Sequence, residues 1–544
     1  MGKLNKYTPK TVTSPIQMST VPNAHTALGG IGYAPANAES ELFDLGINLF
    51  AGEDNYHESG QARDNRFTRL VEAVAVSNPA WITGFLGWLR SEGNIRTASI
   101  MGAVVAVHAR LNDPRSVEAD KNSASHGPSW NRRIVDAVCQ RADEPGEFIA
   151  YWTQRYGKNI PMPVKRGLSD AARRLYNEYS FMKYDSDKAG WRIGDVIEFV
   201  HPKPVDNDQA ALFGYAISAR HGNAFEDMSR LSRIEANKAL REEFKTNPDV
   251  LLNTGFLKKA GFTWEDALSL AGTKVDKAKL WESLIFAKAV PIFALIRNLR
   301  NMEQAGISRA AMTEVCNTIA NPEVIAKSRL FPFQIYAAHK YAQSMHWKSA
   351  LEDAMTYSTL NVPQLDGDTL LLIDASGSMF GTKLSGKSDL ERVEAAAVFG
   401  AAFAVRNPDT TKVVTFSNDT KIVPVTKGMS MLGLTDKIMR TAATQQSGTA
   451  TAAALKASYT GQKRVIIVTD EQSSGSYGYY SRGSVSDKVP DSTYLYSFDL
   501  AGHRISDIPS GKNRRHQLGG LTDKSFGMIP LLERGNSARW PWEK

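Results

Sequence analysis

Asp374-Ala-Ser376-Gly-Ser378 sets one carboxylate and two hydroxyls in a tight stretch of chain, directly after the apolar run TLLLI. Ser447-Gly448-Thr449 offers a further hydroxyl, and a second apolar run, RVIIVT, delivers Asp470 at its end. All five donors are hard oxygens, which suit a hard cation. Mg²⁺ accepts near-octahedral oxygen geometry and keeps several waters, so Asp374, Ser376, Ser378, Thr449 and Asp470 with one exchangeable position make a reasonable site for it or another divalent ion. The competing reading is that the same Asp and Ser residues cap a helix and fill a turn.

A second pattern overlaps the first. Gly381 to Ser388 (GTKLSGKS) formally satisfies the phosphate-cradling motif of P-loop nucleotide hydrolases, and VIIVTD could serve as its acidic strand. Such a loop starts directly after its strand, whereas here the Asp-Ser-Ser triplet intervenes before Gly381, so Lys387 is read as a loop lysine. Neither His-Glu-x-x-His nor a Cys–His nucleophile pattern occurs, and the ten histidines are dispersed, so no catalytic role is assigned.

Between positions 155 and 183 the basic residues Arg155, Lys158, Lys165, Arg166, Arg173, Arg174 and Lys183 stand against Asp170 and Glu178. Arg166, Arg173 and Arg174 lie seven and eight apart and therefore share a helical face, with Leu168 and Leu175 turned to the core. A stripe of this kind can neutralise several phosphates at once; the alternative is a solvated face carrying surface ion pairs. Tyr176, Tyr179, Phe181, Tyr184 and Trp191 interleave with the cations, and aromatic faces stack on unpaired bases. The helix pattern RIGDVIEFV then ends in His201-Pro202-Lys203-Pro204, which sets an imidazole at the negative end of a helix dipole.

The elements that must position these groups fall into three textures. Residues 1–60 carry scattered Pro, Gly, Asn and Ser and read as an extended arm lying on other parts of the molecule. From 61 to 365 apolar residues recur at helical spacing, as in Phe67, Leu70, Val71 and Val74, or Leu168, Ala171, Ala172 and Leu175. Ile193, Val196, Ile197 and Val200 repeat it, as do Ile292, Leu295, Ile296 and Leu299. Paired amphipathic helices stacked in series form an α-solenoid. From 366 to 544 short β-branched runs (DTLLLID, TKVVTFS, RVIIVTD, STYLYSFDL) alternate with helical stretches, which predicts a doubly wound, Rossmann-like α/β domain with ligands at the carboxyl ends of its strands. Leu390, Val393, Ala397, Gly400, Ala401 and Ala404 give its first helix a narrow stripe of mostly small residues, suited to close packing on a parallel sheet.

Length and composition agree with this division. At 544 residues the chain exceeds what one core usually supports, and its two cysteines exclude a disulfide framework and point to a reducing compartment. The N-terminal sequence lacks a signal-peptide core or lipidation motif, and apolar runs such as LWESLIFAKAVPIFALI are broken by Glu282, Lys288 and Pro291. A soluble, cytoplasmic protein without a membrane partner is expected. The net charge of +8 and a pI near 9.1 favour an anionic partner.

The oxygen-donor set resembles the metal-ion-dependent adhesion site of von Willebrand factor A domains: Asp-x-Ser-x-Ser, a loop threonine, then a strand-terminal aspartate. Such domains are binding modules in which a partner's carboxylate or water completes the metal shell. The helical part resembles the TROVE module of the Ro autoantigen family in Lys165-Arg166-Gly167, in Tyr176-Asn-Glu-Tyr-Ser-Phe-Met-Lys183-Tyr184, in Gly190-Trp191 and in His201-Pro-Lys203-Pro. Thr263-Trp264-Glu265, Trp281-Glu-Ser-Leu-Ile285, Arg297-Asn298-Leu299 and Phe331-Pro332-Phe333 extend it, and a TROVE module followed by an A-type domain is the Ro arrangement.

That resemblance implies a monomeric ring of HEAT-like helical repeats closed by the A-type domain. It implies a non-enzymatic protein that binds small noncoding Y-like RNAs on its outer surface. It further implies that single-stranded 3′ ends of misfolded RNAs enter the central hole, with an exoribonuclease as a further partner of bacterial members. By position, Lys183 and His201 match family residues implicated in Y RNA binding, and Arg297 and Arg300 are candidates for lining the hole, ordinary surface exposure being their alternative. The rival function is a scaffold in which the A-type domain grips an acidic partner through Mg²⁺ and the solenoid holds a second protein.

Overall fold

The structure, a computed structural model, describes residues 15–26, 28–47, 59–93, 95–122, 127–328, 330, 332–383, 390–471, 473, 484–511, 514–519, 523–534 and 539–543. It is a helix-rich chain with one large sheet, as the alternating textures predict, and it divides into two compact units.

One unit, Val71–Thr318, is built of helices that pack on their near neighbours in sequence. Those that matter below are α1 (Trp130–Val138), α2 (Met162–Leu175), α3 (Glu178–Tyr184), α4 (Ile193–Val200), α5 (Asn207–His221), α6 (Ser232–Thr246), α7 (Lys277–Phe286), α8 (Ile292–Arg297) and α9 (Leu299–Ala305). In α2, Val164, Gly167, Leu168, Ala171 and Ala172 form the buried stripe, which rests on α1 and α4. In α4, Ile193, Val196, Ile197 and Val200 are all buried, the period of 3.6 having aligned them on one face. The stretch from Ile292 to Leu299 departs from the expected single helix. Asn298 interrupts it at φ −107°, ψ 11°, with its amide donating back to the Ala294 and Leu295 carbonyls, so Arg297 and Arg300 sit on different short helices.

The other unit joins residues 1–70 to 319–544. Compactness thus groups the N-terminal segment and the helices between 319 and 365 with the sheet. Lys340 donates to the Glu394 carboxylate at 2.7 Å, and the Tyr33 hydroxyl shares a hydrogen bond with Ser484 at 2.6 Å. Ile16, Met18 and Tyr33 are buried in it.

Its six-stranded sheet comprises β1 (Thr369–Asp374), β2 (Thr411–Phe416), β3 (Thr420–Val423), β4 (Arg464–Thr469), β5 (Tyr494–Asp499) and β6 (Arg515–Gly519), in the order β3-β2-β1-β4-β5-β6. Every pairing is parallel except β2 with β3. All residues of β1 and β4 are buried, as expected of strands covered on both faces. Leu370 and Leu372 face a core that includes Leu455 of α11 (Thr451–Ser458), while Leu371 and Ile373 lie against Gly400 of α10 (Arg392–Arg406). Helices on opposite faces make the sheet doubly wound, and parallel strands bring the ends of β1, β4 and β5 to one edge.

Candidate metal centre and nucleic-acid interface

Asp374 closes β1 and is fully buried. Its Oδ1 accepts from Ser376 N at 2.8 Å, which curls the loop so that the Ser376 and Ser378 hydroxyls share a hydrogen bond at 3.2 Å. Gly377 N donates to the Ser447 carbonyl at 2.8 Å, tying this loop to the one that carries Thr449. Asp470 follows β4, and its Oδ2 stands 3.6 Å from the Arg392 guanidinium. Asp374, Ser376, Thr449 and Asp470 are at most 1 % exposed and Ser378 7 %. The loops that sequence order predicted are thus joined at the carboxyl edge of the sheet.

Burial, reinforced by the Asp470 charge, pushes the Asp374 carboxyl up to about 7. Two buried carboxylates that oppose each other's ionisation fit a divalent cation, which would relieve both. Among the described residues no group of three or more His, Cys, Asp or Glu is arranged to hold a metal. The candidate set has two carboxylates and takes its remaining donors from hydroxyls. In the nucleotide-loop alternative, Gly381 lies seven residues past the end of β1, and residues 384–389, Lys387 and Ser388 among them, fall outside the described residues.

Sequence reasoning missed the acids around this site. Asp44, Glu471, Asp499 and Asp507 are all buried in the same unit. Gln517 Nε2 donates to Glu471 at 3.1 Å and to Asp44 at 3.3 Å, and the Ser497 hydroxyl donates to Glu471 at 2.8 Å. Burial raises Asp499 to about 6 and Asp507 to about 7. Asp499, at the end of STYLYSFD, had the same strand-terminal signal as Asp470; Asp44 comes from the N-terminal segment and had none.

The basic stripe on α2 divides. Arg166 and Arg173 are exposed. Arg174 is exposed too, but donates to the Asp136 carboxylate at 2.8 Å and to the Cys139 carbonyl at 2.7 Å, so it ties α2 to the end of α1. Asp170, on the same helix, is bidentate to Arg132 of α1. Lys165 holds its ammonium 4.1 Å from the centre of the Phe199 ring on α4.

On α3, Lys183 is exposed, with its ammonium 5.3 Å from the Tyr184 ring centre and 5.7 Å from that of Tyr179. Burial would lower this ammonium, but Tyr184 and Tyr179 outweigh it and hold it above its ordinary value. Arg141 lies 5.2 Å over Tyr184, and Arg233 of α6 lies 5.9 Å over Tyr179, so cations and rings alternate across three elements. Tyr179 is 40 % exposed, whereas Tyr176 and Phe181 are core residues packed on Phe213 and Tyr215 of α5. Trp191 is half-buried against Phe199.

His201 caps α4 in the left-handed conformation (φ 48°), its amide donating to the Ile197 carbonyl. Pro202 is buried behind it, and His201 and Lys203 are exposed. Arg297 and Arg300 are exposed as well. The sequence reading missed Arg141 and Arg233, together with Lys238 and Arg241 of α6, which lie over Tyr215 and Phe262. For α6 a signal existed in basic residues recurring at helical spacing.

Residues 257–398 match the family model described as TROVE domain. A stretch of 77 residues, 14% of this chain, is 39% identical to telomerase protein component 1 of Mus musculus and 38% identical to that of Rattus norvegicus. It spans 3% of those proteins' length. The crystal structure of the RO (RSR) protein of Deinococcus radiodurans superposes with a TM-score of 0.61 at 16% identity, covering 92% of this chain and 100% of that one. Residues 257–398 are thus similar to a TROVE domain, and the chain has the fold of the Deinococcus radiodurans RO (RSR) protein.

Proposed function

We propose that this protein binds RNA without processing it. It takes small noncoding Y-like RNAs at Lys165, Arg166, Arg173, Lys183, His201 and Lys203, and the single-stranded 3′ ends of misfolded RNAs near Arg297 and Arg300. The observation that carries the reading is the run of cations and rings Tyr184–Lys183–Tyr179–Arg233, flanked by Arg141, whose guanidinium is paired with Asp143; Lys183 and Arg233 offer phosphates a charge and the rings offer unpaired bases a face at the same spot. Its place is in noncoding RNA stabilisation or quality control in the cytoplasm, with an exoribonuclease as a further partner. No helix of the described residues is long and apolar enough to cross a membrane.

In the A-type domain Asp374, Ser376, Ser378, Thr449 and Asp470 hold Mg²⁺ or another divalent ion. When bound, such an ion would supply a positive centre for an acidic group of a partner; the chain's own Thr469 hydroxyl and Ser376 amide orient the Asp374 carboxylate. The buried carboxylate pair favours a second reading, a metal-dependent protein scaffold.

One experiment separates the two. The protein is purified from cells, its absorbance ratio measured, and the bound nucleic acid sequenced. Co-purifying small RNAs, released by salt and not by chelator, support RNA binding; protein partners released by chelator from an RNA-free preparation support the scaffold.

A further inference from the structure

We infer that Phe286 and Phe293, on either side of the turn between α7 and α8, form a stacking platform for the bases of an unpaired RNA strand, with Lys288, Arg297 and Arg300 receiving its phosphates. The inference rests on the RNA reading above and names which part of the strand is read and by which groups. Phe286 is 52 % and Phe293 42 % exposed, and they are the exposed phenylalanines among the described residues. Leaving two such rings in water forgoes the burial that other phenylalanines of the chain obtain.

The local backbone supports a presented, ordered surface. Residues 286–289 are all exposed, yet the turn is closed by Lys288 N donating to the Ile285 carbonyl and Ala289 N to the Leu284 carbonyl, each at 2.9 Å. This is a helix C-terminal motif whose left-handed position normally takes glycine. Here Lys288 occupies it at φ 53°, a strained choice that sets an ammonium between the two rings in sequence. Arg297 follows Phe293 by four residues on the same face of α8, its guanidinium 5.5 Å from the ring centre. Among the described residues Lys288, Arg297 and Arg300 make no ion pair, and the Glu282 carboxylate on α7 is engaged by Ser308 N at 2.7 Å.

Rings beside unpaired cations select the occupant. A duplex keeps its base faces stacked inside, so a single strand is what can use both the rings and the charges.

The test uses the full chain and fluorescence anisotropy with labelled oligoadenylate and an abasic strand of equal length. The wild-type chain should favour oligoadenylate. The double variant Phe286→Ala/Phe293→Ala should bind oligoadenylate about five- to tenfold more weakly, with its affinity for the abasic strand and its salt dependence unchanged. Phe286→Ala/Phe293→Trp should recover part of the preference that the double alanine variant loses, which a merely structural ring would not do. Arg297→Ala/Arg300→Ala should weaken both strands alike. Equal wild-type affinity for the two strands, or a double variant that keeps the wild-type preference, overturns the inference. A chain that binds structured RNA but neither strand overturns it while the RNA reading stands; a chain that binds no RNA overturns both.

Discussion

Thr469 donates its hydroxyl to Asp374 Oδ2 at 2.6 Å while Ser376 N donates to Oδ1 at 2.8 Å, so both oxygens of the carboxylate are oriented by the ends of two neighbouring strands. Groups behind a ligand usually set metal affinity by tenfold or more. Isothermal titration with MgCl₂ should find that Asp374→Ala abolishes binding and that Thr469→Val weakens it about tenfold. Wild-type affinity in Asp374→Ala would remove the assigned centre.

The acids at this edge make a pH prediction. Burial holds Asp374 and Asp507 at about 7 and Asp499 at about 6, above their ordinary 3.8. A carboxyl raised on folding binds more protons in the native state, so its contribution is fully present below 3.8 and is lost as pH rises through 6 to 7. In chelator, denaturant midpoints should therefore fall between about pH 4 and about pH 7. Saturating Mg²⁺ should flatten that fall, because the cation replaces the protons. A midpoint rising over this range in chelator would contradict the burial of these acids.

Lys183 stands among the Tyr179 and Tyr184 rings and is exposed, which separates charge from stacking. Lys183→Ala should lower RNA affinity and reduce the slope of log affinity against log salt by about one. Tyr179→Ala should lower affinity with the slope intact. Filter binding over a salt series reads both, and identical slopes for wild type and Lys183→Ala would take that lysine off the phosphates.

Arg174 serves α1. Since its guanidinium holds Asp136 and the Cys139 carbonyl, Arg174→Ala should cost about 1–2 kcal/mol of stability in chemical denaturation. Its salt slope for RNA should match the wild type. The reverse pattern, intact stability with a lower slope, would return Arg174 to the RNA-facing stripe.

Gly167 lets α2 approach α1. A Cβ there would meet Val135 Cβ at 2.6 Å and the Arg132 carbonyl at 2.8 Å. Gly167→Ala should destabilise the helical unit by about 1–3 kcal/mol through overpacking, despite alanine's better helix propensity. Gly190→Ala, with nothing within 4 Å of the added carbon, is the control.

Alternation and period carried far in this sequence. TLLLID and RVIIVT announced strands because both faces of the sheet are buried, and the order Asp374, Ser376, Ser378, Asp470 identified one edge because parallel strands end together. Pair chemistry was not legible. Arg174 and Asp136 are 38 residues apart, so its face on the helix could be computed while its ion pair could not. The break at Asn298 was equally hidden, because the apolar period runs through it from Ile296 to Leu299.

Asp44 and Gln517 meet at 3.3 Å across 473 residues, inside a unit whose two segments flank 71–318. During synthesis the helical unit is therefore complete on the ribosome while Ile16, Met18 and Tyr33 still await β6 and the residues around Ser506. Those apolar side chains need shielding throughout that interval, which makes the sheet-bearing half the step at which a nascent chain would engage chaperones.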